Sequence, residues 1–362
     1  MWPRETAPRG SAPVAAPPVA TTVEDSNFLA ALEAARAYGG AYGVTFAVVR
    51  DGEVFWSGAA GRYRDGATSL NGADSLVIGS VTKTYAAATI LQLVEEGRLS
   101  LTDTVRHYLP GEGIVPADIT IRQLLNHTSG LADVFNDTTK TGIETHPEHA
   151  WDASEVMATV HAPWYRPGEG YAYANTNYYL LGLVIEQITG ATLAEELDRR
   201  FLTPLGLDST EVLTGDSTAR DTLEPAWATI FWASGAMSAS AADLARWGDA
   251  LYGDGLLSEA TRTEMLKVNG AAFGIEGENY GLGVQRIDVP GASGYGHTGM
   301  LKTYTSLLLH LPTQNVTLSL LVNRTHVDLG GMLAAKPLNG PSLLELAGVE
   351  LATPTAPAVP GG

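Results

Sequence analysis

The strand-like segments of this chain stand at its two ends, with a long helical stretch between them. Near the start, "GVTFAVVRDGEVFWSGAAG" (43–61) places two apolar, β-branched runs around Asp51-Gly52, the dipeptide that most strongly signals a tight hairpin. Near the end, "YGLGVQRIDV", "YGHTG", "TYTSLLLH" and "VTLSLLVN" follow one another closely. Adjacent runs joined by short turns imply antiparallel pairing, with helices segregated from the sheet. From Ser80 to about Asp254 the pattern is mostly helices and loops, as in "NTNYYLLGLVIEQITG". The expected fold is therefore α+β: a sheet part over about 27–75 and 275–350, which the chain must leave and re-enter, and a helical part over about 80–255.

Composition narrows the chemistry. Forty acidic against 22 basic residues give a net charge of −18, which disfavours phosphate backbones and anionic membrane surfaces, so no nucleic-acid partner is expected. No cysteine occurs, which removes disulfides, thiolate metal sites and cysteine nucleophiles. The longest apolar runs, such as "YYLLGLVI" (178–185), fall far short of the ~20 residues that span a bilayer. Residues 1–26, rich in Ala, Pro and Thr, are expected to form a disordered leader, and 351–362 a disordered tail. Such a leader fits the segment that follows a removed export signal, so a secreted or periplasmic location is expected, with a cytoplasmic one as the alternative.

In "IGSVTKTYAAATILQLVEEG" (78–97) a helical spacing begins near Ser80 and stops at Gly97. Residues three apart share a face, so the Lys83 amine can reach the Ser80 hydroxyl at a helix start that favours negative charge. A hydroxyl and an amine in contact are a candidate nucleophile and base. The same spacing also serves an N-cap serine followed by a surface lysine, so partners elsewhere must decide. Two stretches supply them. "PGEGYAYANTNYYLLG" presents Tyr173 and Asn175 in a loop entering a helix, and "YGHTGM" sets His297, Thr298 and Gly299 on a late strand flanked by small residues.

The ordered set S-x-x-K, Y-x-N and H-T-G resembles the serine β-lactamase and penicillin-binding superfamily. Within it, the chain is similar to the branch of class C β-lactamases, D-alanyl-D-alanine carboxypeptidases and related esterases. "FAVVRDGEVFWSGAAG", "LQLVEEGRLSLTDTVRHYLPG", "ITIRQLLNHTSGL", "FLTPLGLDST", "GAMSASAADLARW" and "YGLGV" extend the resemblance over roughly residues 27–350. It implies an antiparallel sheet flanked by helices and packed on an all-helical domain, with the site in the cleft between them. It also implies Ser80 as nucleophile, Lys83 and Tyr173 as the proton-handling pair, and an oxyanion hole from the backbone N–H groups of Ser80 and Met300. Asn175, His297, Thr298, Gly299 and Gln285 would contact substrate. His127, in "LLNHTSGL", is a structural landmark in this family.

Three departures bear on the substrate. His297 replaces a lysine, so a charge there would depend on pH. Where carboxypeptidases of this branch carry a cation after G-L-G, this chain has Gln285 and only then Arg286. Strand alternation turns Gln285 to the cleft and Arg286 away. Thr303 stands where relatives usually have glycine and would narrow the rim, while Lys302 could supply the missing cation. The expected activity is acyl-enzyme hydrolysis of D-amino-acid peptides, small esters or amides, or β-lactams, on a small-molecule or peptide substrate. A carboxylesterase with little peptidase activity and a non-turnover penicillin-binding protein are the alternatives. The cluster His146, Glu148 and His149, with His161 nearby, lacks a standard zinc spacing. No metal and no cofactor are expected.

Overall fold

The computed structural model describes residues 23–111, 115–215, 222–253, 255–269 and 279–351. In chain order the strands are β1 (Gly43–Arg50), β2 (Glu53–Gly61), β3 (Leu76–Val77), β4 (Glu211–Val212), β5 (Met237–Ala239), β6 (Gln285–Val289), β7 (Ala292–Leu301), β8 (Tyr304–Leu311) and β9 (Val316–Val322). β1 and β2 close over Asp51 and Gly52, both at positive φ (50° and 80°), which matches the twist of a two-residue hairpin. Six strands form one antiparallel sheet in the order β2-β1-β9-β8-β7-β6. The first strand pairs with the last, from Val44 opposite Val322 to Arg50 opposite Val316. The two ends of the chain thus complete a single sheet.

Alternation along these strands builds two cores. In β8, Leu307, Leu309 and Leu311 pack with Phe28, Leu32, Met332 and Leu343 under the terminal helices. Leu308 faces the opposite way, into the cluster that holds Trp247 and Tyr85. Burying each such leucine contributes about 1.5–3 kcal/mol, so a one-residue slip of register would exchange the two faces and be strongly disfavoured. The helix Thr82–Glu95 is buried nearly all round, from Thr82 to Leu91, as is the start of the helix Asn175–Thr189. Both therefore read as apolar without a clear stripe.

Some expectations need correction. The segment 80–255 is not wholly helical, because β4 and β5 join β3 in a small sheet of order β3-β5-β4. Strands of two or three residues carry no periodicity to detect. The N-terminal helix begins at Val23, so the last four residues of the expected leader are helical. The rest of the leader, and the tail beyond Leu351, lie outside the described residues. β6 begins at Gln285, since the preceding Gly283 has a positive φ of 77° that ends the extended run. Among the described residues no helix is long and apolar enough to cross a membrane.

Candidate active site

Ser80 lies in a 3₁₀ turn, Gly79–Val81, that runs directly into the helix Thr82–Glu95. This turn is pressed against β7. A Cβ placed on Gly299 would lie 2.0 Å from the Ile78 carbonyl oxygen, and one on Gly79, whose φ is +52°, would lie 2.9 Å from the Met300 nitrogen. Only glycine permits that approach. The Ser306 hydroxyl donates to the Ile78 carbonyl at 2.6 Å and ties the turn to the sheet from the next strand. The backbones of Ser80 and Met300 are thereby set side by side.

Lys83 extends from the first turn of the helix and is fully buried. Its Nζ lies 3.0 Å from Ser80 Oγ, 2.8 Å from Asn175 Oδ1 and 2.6 Å from the Ser234 carbonyl oxygen. The last partner is available because Ser234 lies in the final turn of the helix Pro225–Gly235, which is interrupted at Trp232 (φ 25°, ψ −113°) and whose last carbonyls have no intrahelical donor. Burial lowers the Lys83 pKa to about 7, outweighing the opposing attraction of Asp133. Asp133 is itself held by Asn175, whose backbone and side-chain N–H groups donate to it at 3.2 Å each. Burial pushes its carboxyl upward. Asp133 escaped the sequence reading, although its place just after "HTSGL" was a signal that could have marked it.

Tyr173 stands over Lys83, whose Nζ is 4.9 Å from the ring centroid. Burial raises its hydroxyl pKa, against the hydrogen bond with Ser80. The Tyr173 ring stacks on His127 at 4.2 Å and 29°. His127 is buried with φ 60°, and its Nδ1 accepts from the Ala174 N–H at 3.2 Å and lies 2.9 Å from Asn177 Nδ2. Its place in the structure is as the floor beneath Tyr173.

His297 is not where substrate contact would require it. It is fully buried, outside the residues lining the Ser80 cavity. Its Nδ1 lies 2.6 Å from the Thr298 carbonyl and its Nε2 lies 2.9 Å from the Tyr280 hydroxyl. A carbonyl only accepts, so Nδ1 carries the proton and Nε2 accepts from Tyr280. Burial, with Lys83 nearby, lowers its pKa to about 3. The expected pH-dependent charge at this position is therefore absent, because the ring sits in an aromatic layer where its cation would be desolvated.

A cavity of about 700 Å³ opens at Ser80, lined by Tyr173, Asn175, Gln285, Thr298, Gly299 and Met300, and walled on its apolar side by Phe135, Trp227 and Phe231. The three aromatic walls were also missed in the sequence, where nothing distinguishes them from core residues. Gln285 Oε1 accepts from the Thr298 N–H at 2.8 Å and from its hydroxyl at 3.0 Å. Arg286 points elsewhere, with its Nε donating to Ser293 Oγ at 3.3 Å. Thr303 faces a neighbouring cavity and does not narrow this one. Lys302 lines the Ser80 cavity but pairs with Glu224 at 2.8 Å. His149 pairs with Glu155 at 3.1 Å, and among the described residues no three His, Asp or Glu side chains converge as a metal site would require.

A split antiparallel sheet with a Ser-x-x-Lys turn pressed on one of its strands and a tyrosine above the pair is the arrangement of the penicillin-recognising serine hydrolases. The β-lactamase family model matches residues 28–336, and the chain belongs to that family. Penicillin-binding protein 4 of Amycolatopsis lactamdurans is 27% identical over 349 residues, 87% of this chain and 88% of that one. A D-aminopeptidase of Cereibacter sphaeroides is 28% identical over 80% of this chain, which spans 58% of that protein's length. Protein flp of Staphylococcus aureus matches over a shorter stretch, 31% identical over 181 residues, 46% of this chain and 34% of that protein. Among solved structures, a D-stereospecific amidohydrolase from Streptomyces sp. superposes with a TM-score of 0.74 at 29% identity, covering 85% of this chain and 98% of that one.

Proposed function

We propose that the protein hydrolyses amides or esters of apolar D-amino acids through an acyl-Ser80 intermediate. The observation that carries this is Ser80 Oγ lying 3.0 Å from the buried Lys83 amine at the mouth of a cavity walled by Phe135, Trp227 and Phe231. Asn175 Oδ1 and the Ser234 carbonyl engage two N–H groups of Lys83. In the neutral amine the lone pair then faces the Ser80 hydroxyl. Lys83 takes that proton as Oγ bonds to the substrate carbonyl carbon, and the oxyanion is held by the N–H groups of Ser80 and Met300. A donor of that kind typically contributes about 100- to 1000-fold in rate. As the C–N or C–O bond breaks, the proton passes to the leaving group by way of the Tyr173 hydroxyl, which stays protonated at neutral pH. Water then attacks the acyl carbon as the same groups take its proton, the bond to Ser80 Oγ breaks, that proton returns to Oγ, and the acid is released.

The D-configuration is supported by the names of the relatives, a D-aminopeptidase and a D-stereospecific amidohydrolase. Carboxypeptidase action on a free D-Ala-D-Ala terminus has less support, because Gln285 is neutral and Arg286 is turned away. The test is a panel of D- and L-phenylalanine amides, p-nitrophenyl butyrate, a D-Ala-D-Ala peptide and a fluorescent penicillin, with intact mass after each. An acyl adduct on Ser80 and a preference for the D-amide over the L-amide are expected. Equal turnover of the two enantiomers, or labelling by penicillin without turnover of any substrate, would exclude this reading.

A further inference from the structure

Lys302 is the only lysine or arginine among the described residues lining the Ser80 cavity. It occupies the β7–β8 turn, two residues beyond Met300, with a φ of 53°. Its Nζ donates to Glu224 Oε1 at 2.8 Å. Glu224 lines the adjoining cavity and stands immediately before the helix Pro225–Gly235, whose Trp227 and Phe231 form the apolar wall of the Ser80 cavity. The two side chains are 29% and 42% exposed, and a pair as open as this adds little to stability. Its consequence is electrical. A substrate carboxylate approaching Lys302 meets a charge already paired and must sit beside the Glu224 carboxylate, with like charges opposed. The other groups near Ser80 do not compensate. Gln285 is neutral, Arg286 is turned to Ser293, Arg64 lines the adjoining cavity with Glu224 and Lys302, His326 brings an imidazole and no fixed cation to the Ser80 cavity, and the Asp133 carboxylate is tied to Asn175.

We infer that Glu224 is a specificity-determining residue that acts through Lys302: it cancels the one fixed cation among the described lining residues and so reserves Ser80 for substrates without a carboxylate. This rests on Ser80 being the nucleophile. It assigns a substrate-selecting task to an acidic residue that touches neither Ser80 nor Lys83.

The experiment uses phenylboronic acid and para-carboxyphenylboronic acid, which add reversibly to a serine hydroxyl without turnover, with affinities measured by calorimetry at about pH 8. Wild type is expected to bind the neutral boronate more tightly. Glu224→Gln, which keeps the shape of the side chain, should shift the affinity ratio toward the carboxylate form by about tenfold, and Glu224→Gln/Lys302→Met should lose that gain. An unchanged ratio in Glu224→Gln would overturn the inference. Lys302→Met alone decides the matter if Glu224→Gln does not fold: the ratio should hold within about twofold, whereas a selective loss of carboxylate binding would show Lys302 already acting as an anion clamp. Binding to Ser80→Ala at wild-type affinity would count against the nucleophile itself, separately from the charge argument. A wild type that binds neither boronate would refute both.

Discussion

The Lys83 amine and the Ser234 carbonyl oxygen lie 2.6 Å apart, the acceptor being one of the unpaired carbonyls at the end of the helix Pro225–Gly235. With Asn175 as second acceptor, the amine is oriented before any substrate arrives. That preorganisation, and the burial that lowers its pKa to about 7, shape the pH dependence of the reaction.

A base works when neutral, so kcat/KM is expected to rise as pH increases through about 7 and to level off above it. Asp133→Asn removes the attraction that opposes the shift, so the midpoint should move to lower pH. Because the folded pKa lies below the ordinary lysine value of 10.5, the contribution of Lys83 to stability grows as pH climbs between the two and is smallest below about 7. A rate profile still rising past pH 9 would rule out Lys83 as the base.

Ser80→Ala is expected to abolish covalent labelling by serine-directed phosphonates while the circular dichroism spectrum is retained. Lys83→Ala and Tyr173→Phe should each slow acylation by orders of magnitude, and the double variant should fall well short of the product of the two, since the groups act as a unit. Labelling at another serine, or strict additivity, would contradict the proposed roles.

His297 is expected to remain neutral from pH 8 down to pH 5, as read by the ring-proton shifts in NMR. Its folded pKa is depressed, so its share of stability is present above the unfolded value of ~6.5 and is lost as pH falls toward about 3. An imidazole titrating near 6.5 would place it in contact with solvent, against the buried hydrogen bonds to Tyr280 and Thr298.

What could be read from the sequence followed from local signals. The Asp51-Gly52 hairpin and the Ser80–Lys83 spacing are set by neighbouring residues, and the structure places Ser80, Tyr173 and Asn175 around one cavity with Lys83 buried against Ser80 and Asn175. Gln285 and Arg286 could be assigned to opposite faces because a strand alternates. His297 could not be placed this way, since its orientation depends on Tyr280, a residue on another segment. Asp133, Ser234 and Glu224 were equally hidden. Each matters through a partner distant in sequence, and nothing in its own neighbours foretells that partner.

At pH 8 a short neutral ester is expected to be hydrolysed with higher kcat/KM than a peptide ending in free D-Ala-D-Ala. Gln285→Arg should raise peptide activity by about 10- to 100-fold, the worth of one charge-assisted hydrogen bond to the carboxylate. A wild type that already prefers the peptide would mean that a cation other than residue 285 serves as the clamp.

Gly299→Ala should be among the most damaging small substitutions. The added carbon would stand 2.0 Å from the Ile78 carbonyl oxygen, and forcing β7 off the nucleophile turn should cost about 1–3 kcal/mol or more. A marked loss of both Tm and acylation is expected, and a variant with wild-type rates would show that the approach of the two backbones is not needed.

The pairing of β1 with β9 also bears on how the protein comes into being. A chain emerging from the ribosome carries Ser80, Lys83 and Tyr173 long before Thr298 and Met300 exist, and the strand that closes the sheet is made later still. Pairing partners this distant make ordering slow. The half-made protein has a nucleophile without the strand that completes its site. Catalytic competence should therefore switch on late and all at once, as the final hairpins dock beside the first, so that a chain truncated before Val316 would be inert rather than partly active.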